Sequence, residues 1–78
     1  MDRLQTMSAF VGVAEEGGFS PAARRLGMSP PSITRAVSEL ETRLGCRLFH
    51  RTTRSVQLTE AGERYLGDCR RILADVDA

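Results

Sequence analysis

The chain holds no lysine, one histidine and two cysteines, and 5% of its residues are aromatic. Each shortage excludes something. His50 has no cluster of His, Cys, Asp or Glu around it at metal-ligand spacing, so it reads as a surface or phosphate-contacting residue, not a metal ligand or a base. Cys46 and Cys69 lie too far apart for a local metal or redox motif and are expected as free thiols in a reducing compartment. No nucleophile–base spacing and no phosphate-cradling glycine loop is visible, so the chain is read as neither an enzyme nor a cofactor or metal carrier. With so few rings, Phe10 and Tyr65 are expected as core or dimer contacts, not as stacking platforms for single strands. The N-terminus has no charged-then-apolar leader, and no apolar run approaches the roughly 18 residues needed to span a bilayer. A cytoplasmic protein without a membrane partner is expected. No repeat or low-complexity tract is present, so the chain reads as one ordered domain, small enough that a second subunit should add buried area.

What the chain does hold is arginine, placed unevenly. Residues 1–18 carry Arg3 against Asp2, Glu15 and Glu16, and residues 59–78 carry three arginines against five acids. Residues 19–58 carry seven arginines against Glu39 and Glu41 alone. Arginine's planar fork suits phosphates and guanine edges, although a GC-rich genome yields the same preference over lysine.

The punctuation gives four helices and a hairpin. Asp2 can cap a first core helix in which Leu4, Met7, Phe10, Val11 and Ala14 recur until Gly17 and Gly18. Ser20 and Pro21 read as the cap and first turn of a second, with Ala22, Ala23 and Leu26 inward and Gly27 at the turn. Ser29, Pro30 and Pro31 repeat that signal, and Gly45 stops a third helix at about Leu44. On it Ile33, Val37, Leu40 and Leu44 share one stripe. Pro31, Thr34, Arg35, Ser38 and Thr42 share the opposite side, with Glu39 and Glu41 at the flanks. A polar face with no acid at its centre favours an anionic partner over plain solvent. Residues 47–50 and 55–58 read as hairpin strands around 51–54, anchored against the third helix by Leu48, Phe49, Val56 and Leu58. Thr59 can cap a last helix with Glu60 and Glu63 in its first turn. Its apolar band of Tyr65, Leu66, Cys69, Ile72, Leu73 and Val76 is wider than one small domain can cover, so one edge is expected on a second subunit. Arg24 and Arg25 end the second helix, where dipole compensation and phosphate contact explain them equally.

These features together resemble the DNA-binding domain of LysR-type transcriptional regulators over essentially the whole chain. The resemblance rests on the alanine-rich second helix, Gly27, the S-P-P-S-I-T-R start of the third helix, its E-T-R-L-G end, the L-F-H-R segment and L-T-E-A-G at 58–62. It implies a mainly α fold, a winged helix-turn-helix over 1–58 with a β-hairpin wing, followed by a linker and dimerisation helix over 59–78. The implied partner is double-stranded DNA at an inverted repeat, bound by a homodimer, with a tetramer open to a full-length protein. Residues 30–44 would be the recognition helix in the major groove. Pro30, Pro31, Ser32, Thr34, Arg35 and Ser38 would lie closest to bases and phosphates, and Ser29, Thr52 and Thr53 would meet phosphates. Arg51 and Arg54 in the wing, residues 47–58, would touch flanking backbone or a narrow minor groove. Arg35 could read a guanine edge or clamp a phosphate. Many family members carry glutamine where this chain has Pro30. Proline offers only van der Waals contact there, which implies altered readout with binding retained. The family usually continues into an effector-binding domain, so the chain reads as an isolated or truncated module and effector sensing is expected elsewhere. The alternative function is a winged helix used only for protein interaction or dimerisation.

Overall fold

The computed structural model describes residues 2–51 and 56–77. Helix α1 spans Arg3–Glu16. The Asp2 carboxylate accepts the Gln5 N–H at 2.7 Å, satisfying one of the donors that a helix start leaves unpaired. At the other end Gly17 turns left-handed at φ 78°, a conformation that costs a glycine nothing, and donates its N–H to the Val13 carbonyl. α1 is the central element. Thr6, Met7 and every residue from Ala9 to Val13 are buried, and the helix packs on three others. Leu4, expected inward, is 41% exposed.

Helix α2 spans Phe19–Leu26 and starts one residue before the expected cap. Gly18, not Ser20, occupies the cap position, and it makes no side-chain capping bond. Ser20 and Pro21 are therefore already helical. Proline is tolerated there because the first-turn N–H groups have no intrahelical acceptor. Tertiary packing explains the shift, since the Phe19 ring lies edge-on to that of Phe49 at 6.1 Å. α1 and α2 cross closely. A Cβ on Gly12 would sit 3.1 Å from Leu26 Cδ1 and 3.6 Å from the Ala22 Cβ, so small residues on both sides set the approach.

Helix α3 spans Pro30–Leu44, with Ser29 as its cap and the two prolines in its first two positions. It buries Ile33, Val37 and Leu40 as expected, and Ala36 as well. Leu44 is 40% exposed, contrary to its place on the inward stripe, because the chain that turns at Gly45 folds back over Glu41 and not over Leu44. Strands β1 (Phe49–Arg51) and β2 (Val56–Leu58) pair antiparallel, with Phe49 opposite Leu58, His50 opposite Gln57 and Arg51 opposite Val56. The hairpin does not lean chiefly on α3. β2 packs on α1 and on the last helix, and the Phe49 ring meets Phe10 at 5.3 Å. Phe10 reaches Tyr65 in turn at 5.8 Å, so one run of rings ties the hairpin, α1, α2 and the last helix together.

Helix α4 spans Glu60–Asp77, and the Thr59 hydroxyl accepts the Gly62 N–H at 2.9 Å as its cap. No described helix is long and apolar enough to cross a membrane.

Candidate nucleic-acid interface

The candidate segment begins at the cap of α3. Ser29 Oγ lies 2.8 Å from Ser32 Oγ and accepts the Ser32 N–H at 3.3 Å, while Thr34 Oγ1 donates to the Pro30 carbonyl at 3.1 Å. These bonds leave the prolines and Thr34 facing solvent. Arg35 is also exposed, and its guanidinium reaches Ser32 Oγ at 3.5 Å; among the described residues no carboxylate pairs with it. A helix start already presents unpaired N–H groups and a positive dipole end, and no acid occupies the first turn of α3. Cationic side chain and helix pole therefore favour the same kind of ligand, an anion.

Ser38 continues this face. It is half-buried beside Glu41, Thr42, Gly45, Cys46 and Arg47 in a shallow groove. Arg51 closes β1. Thr52, Thr53 and Arg54, expected to contact phosphate or minor groove, lie outside the described residues.

Most other arginines are occupied by carboxylates. Arg25 pairs with Glu15 at 2.9 Å and Glu16 at 3.3 Å, and Arg70 holds the other Glu15 oxygen with two nitrogens at 3.0 and 3.2 Å. Glu15 thereby bridges α2 and α4, and its hydrogen bond with Arg25 holds its carboxyl below the usual range. Arg43 meets Glu39 at 3.4 Å, Arg64 meets Glu60, and Arg71 meets Asp68. Of the Arg24–Arg25 pair, then, the second serves packing. Arg24 is exposed, with no carboxylate partner among the described residues.

The band expected at a dimer seam divides in two. Cys69 is wholly buried within its own chain, which removes it from a seam. That burial pushes its thiol up to about 11, with Tyr65's hydrogen bond opposing. Tyr65, Leu66 and Leu73 are half-buried against the same core. Ile72 and Val76, at 43% and 57% exposed, are the residues of this band that the chain leaves uncovered.

One residue is placed where its helical position did not put it. Glu41, expected at a solvent flank, is 6% exposed, and its carboxylate accepts the buried Leu48 N–H at 2.8 Å. No periodicity could show this, because the covering segment lies beyond the helix.

Helix, turn, exposed second helix and β-hairpin, with an arginine standing on the exposed face, define the winged helix-turn-helix class. Comparison with known proteins narrows it. The family described as "Bacterial regulatory helix-turn-helix protein, lysR family" matches residues 4–63, and this chain belongs to it. It is 51% identical over 76 residues to the HTH-type transcriptional activator AaeR of Escherichia coli K12, covering 97% of this chain and 25% of that protein. It is 55% identical over 64 residues to the HTH-type transcriptional regulator ClcR of Pseudomonas putida, covering 82% and 22%. The chain thus spans about a quarter of the length of the curated relatives it matches. Among solved structures, the CbnR DNA-binding domain in complex with DNA superposes with TM-score 0.92 at 42% identity, covering 99% of this chain and 87% of that one. The BenM DNA-binding domain on its catB site 1 DNA gives TM-score 0.92 at 34% identity, covering 99% and 84%.

Proposed function

We propose that this domain binds double-stranded DNA sequence-specifically, as the operator-reading part of a transcriptional regulator in the cytoplasm, and not as an enzyme. The observation that carries this is the acid-free, solvent-facing start of α3, where Arg35 and the helix pole are aimed at one place. In this reading Pro30, Pro31, Ser32, Thr34, Arg35 and Ser38 enter the major groove and Ser29 meets phosphate. Arg51, Thr52, Thr53 and Arg54 follow the flanking backbone or minor groove. The DNA complexes of CbnR and BenM support it, since the fold compared is nearly the same throughout.

The domain acts as a homodimer through α4, with Ile72 and Val76 at the centre of the seam and Tyr65, Leu66 and Leu73 behind them. Two symmetry-related copies of α3 then reach major grooves about 34 Å apart, or a multiple of that, on an inverted repeat. With on the order of four phosphates neutralised per subunit, log affinity falls against log salt with a slope near −7. The test is selection of duplexes from a random pool, followed by anisotropy titrations of wild type and Arg35→Ala over a salt series. Weaker binding by a folded Arg35→Ala is expected. A slope shallower than about −2, or an Arg35→Ala protein that binds like wild type, refutes the reading.

A further inference from the structure

The chain leaves α3 at Gly45 and reaches β1 through Cys46, Arg47 and Leu48, and one residue organises that exit. The backbone carbonyl of Glu41 accepts the N–H groups of Gly45 at 2.8 Å and Cys46 at 3.3 Å, and its side chain accepts that of Leu48 at 2.8 Å. From the opposite side Thr59, the cap of α4, donates its hydroxyl to the Arg47 carbonyl at 2.7 Å and its N–H to the Leu48 carbonyl at 3.0 Å. The Arg47–Leu48 strap is thus gripped between the recognition helix and the linker helix, and the hairpin starts immediately beyond it.

A buried carboxylate is an expensive way to fill that space. Its desolvation costs several kcal/mol; Arg47, 4.0 Å away, is itself largely exposed. An apolar side chain of similar size would serve packing as well or better. What it could not do is accept the Leu48 N–H across seven residues. We infer that Glu41 is a positioning residue for DNA binding: by holding Leu48 it sets the angle between the hairpin and α3, so that both meet one duplex together. This rests on the function proposed above and adds to it a residue that touches no nucleotide.

The experiment compares Glu41→Gln, which keeps an acceptor, with Glu41→Met, which keeps the volume and loses it. The full chain is titrated with a duplex selected by wild type from a random pool. Glu41→Met is expected to remain folded by circular dichroism, to bind at least tenfold more weakly, and to give a salt slope shallower by about 1 to 2 as hairpin phosphate contacts drop out. Arg51→Ala, harmful in wild type, should cost little more in that background, and Glu41→Gln should restore the slope. A folded Glu41→Met with the wild-type slope and an undiminished Arg51→Ala effect overturns the inference. So does a Gln variant that behaves like Met. Should Glu41→Met not fold, Glu41→Gln decides: a wild-type slope with a protected Leu48 amide in hydrogen exchange supports the role, and a shallow slope or an unprotected amide overturns it. Failure of wild type to bind any duplex refutes the function instead, while Leu48 exchange in wild type and Glu41→Gln still tests the grip.

Discussion

Gly62 lies in the first turn of α4, directly over the Arg47–Leu48 strap. A Cβ there would stand 2.1 Å from the Leu48 carbonyl oxygen, 3.0 Å from its carbon and 3.0 Å from Leu58 Cδ2. The oxygen is backbone and already holds the Thr59 N–H at 3.0 Å, so it cannot swing aside as a side-chain tip can. Relief requires α4 and the strap to separate by about 1 Å, which stretches both Thr59 bonds to the strap. Two hydrogen bonds at a net 0.5–1.5 kcal/mol each, with overpacking of roughly 1–3 kcal/mol, outweigh the gain of about 1 kcal/mol when alanine replaces glycine in a helix. Gly62→Ala should therefore lose about 2–4 kcal/mol. At roughly 4–8 °C per kcal/mol for a domain of this size, the melting point falls by about 8 °C or more. Gly67 supplies the control, since it lies in the same helix with nothing within 4 Å of its Cβ position, and Gly67→Ala should stabilise by up to about 1 kcal/mol. Urea unfolding followed by circular dichroism, at one fixed protein concentration because association adds stability, measures both. Equal midpoints for Gly62→Ala and wild type would refute the close approach of α4 to the strap.

Leu40→Ala, at a site 2% exposed, should cost about 2–5 kcal/mol as a core cavity, read from the same unfolding curves. Ile72→Asp should shift sedimentation toward monomer while leaving the circular dichroism of the helices intact; a fully dimeric variant would move the seam elsewhere. One thiol per chain should react promptly with a maleimide at pH 8, the exposed Cys46, while buried Cys69 reacts only on unfolding; two prompt thiols would contradict its burial. Because the folded Cys69 pKa lies above its ordinary 9.0, its contribution to stability is complete below pH 9 and is lost as pH rises through about 11. Glu15 acts in the opposite sense. Its lowered pKa contributes stability above pH 4.5 that is lost on further acidification, so Glu15→Gln should narrow the gap to wild type in acid.

Local signals were legible in the sequence wherever the bond they predict is local. Asp2, Ser29 and Thr59 each cap the helix they precede, and Gly17, Gly27 and Gly45 each take the left-handed turn that ends one. Three misplacements share a cause, which is a partner outside the element itself. α2 starts early because Phe19 reaches Phe49, and the hairpin leans on α1 and α4 because the Phe49 ring packs, tilted, against Phe10. Glu41 turns inward because a segment seven residues on folds over it. The outer face of α3 was read correctly, since Pro31, Thr34, Arg35 and Thr42 are exposed while Ile33, Val37 and Leu40 are buried.

Charge shows the difference between counting and placing. Seven arginines between residues 19 and 58 suggest a broad basic field, yet Arg25 and Arg43 face carboxylates on their own chain and Arg47 stands near Glu41. Exposed pairs of this kind contribute about 0–1 kcal/mol to folding, but they reduce what remains for an external anion. Arg24 and Arg35 stay without a carboxylate among the described residues, and Arg35 stands on the acid-free face of α3. Contacts to phosphate position a duplex without reading it, whereas contacts to base edges carry sequence. Arg35→Ala should thus weaken binding to a selected operator more than to a random duplex, whereas Arg24→Ala, on α2, should weaken both alike. Anisotropy titrations on the two duplexes at one salt concentration separate these outcomes, and equal losses for Arg35→Ala would assign that guanidinium to phosphate instead of base.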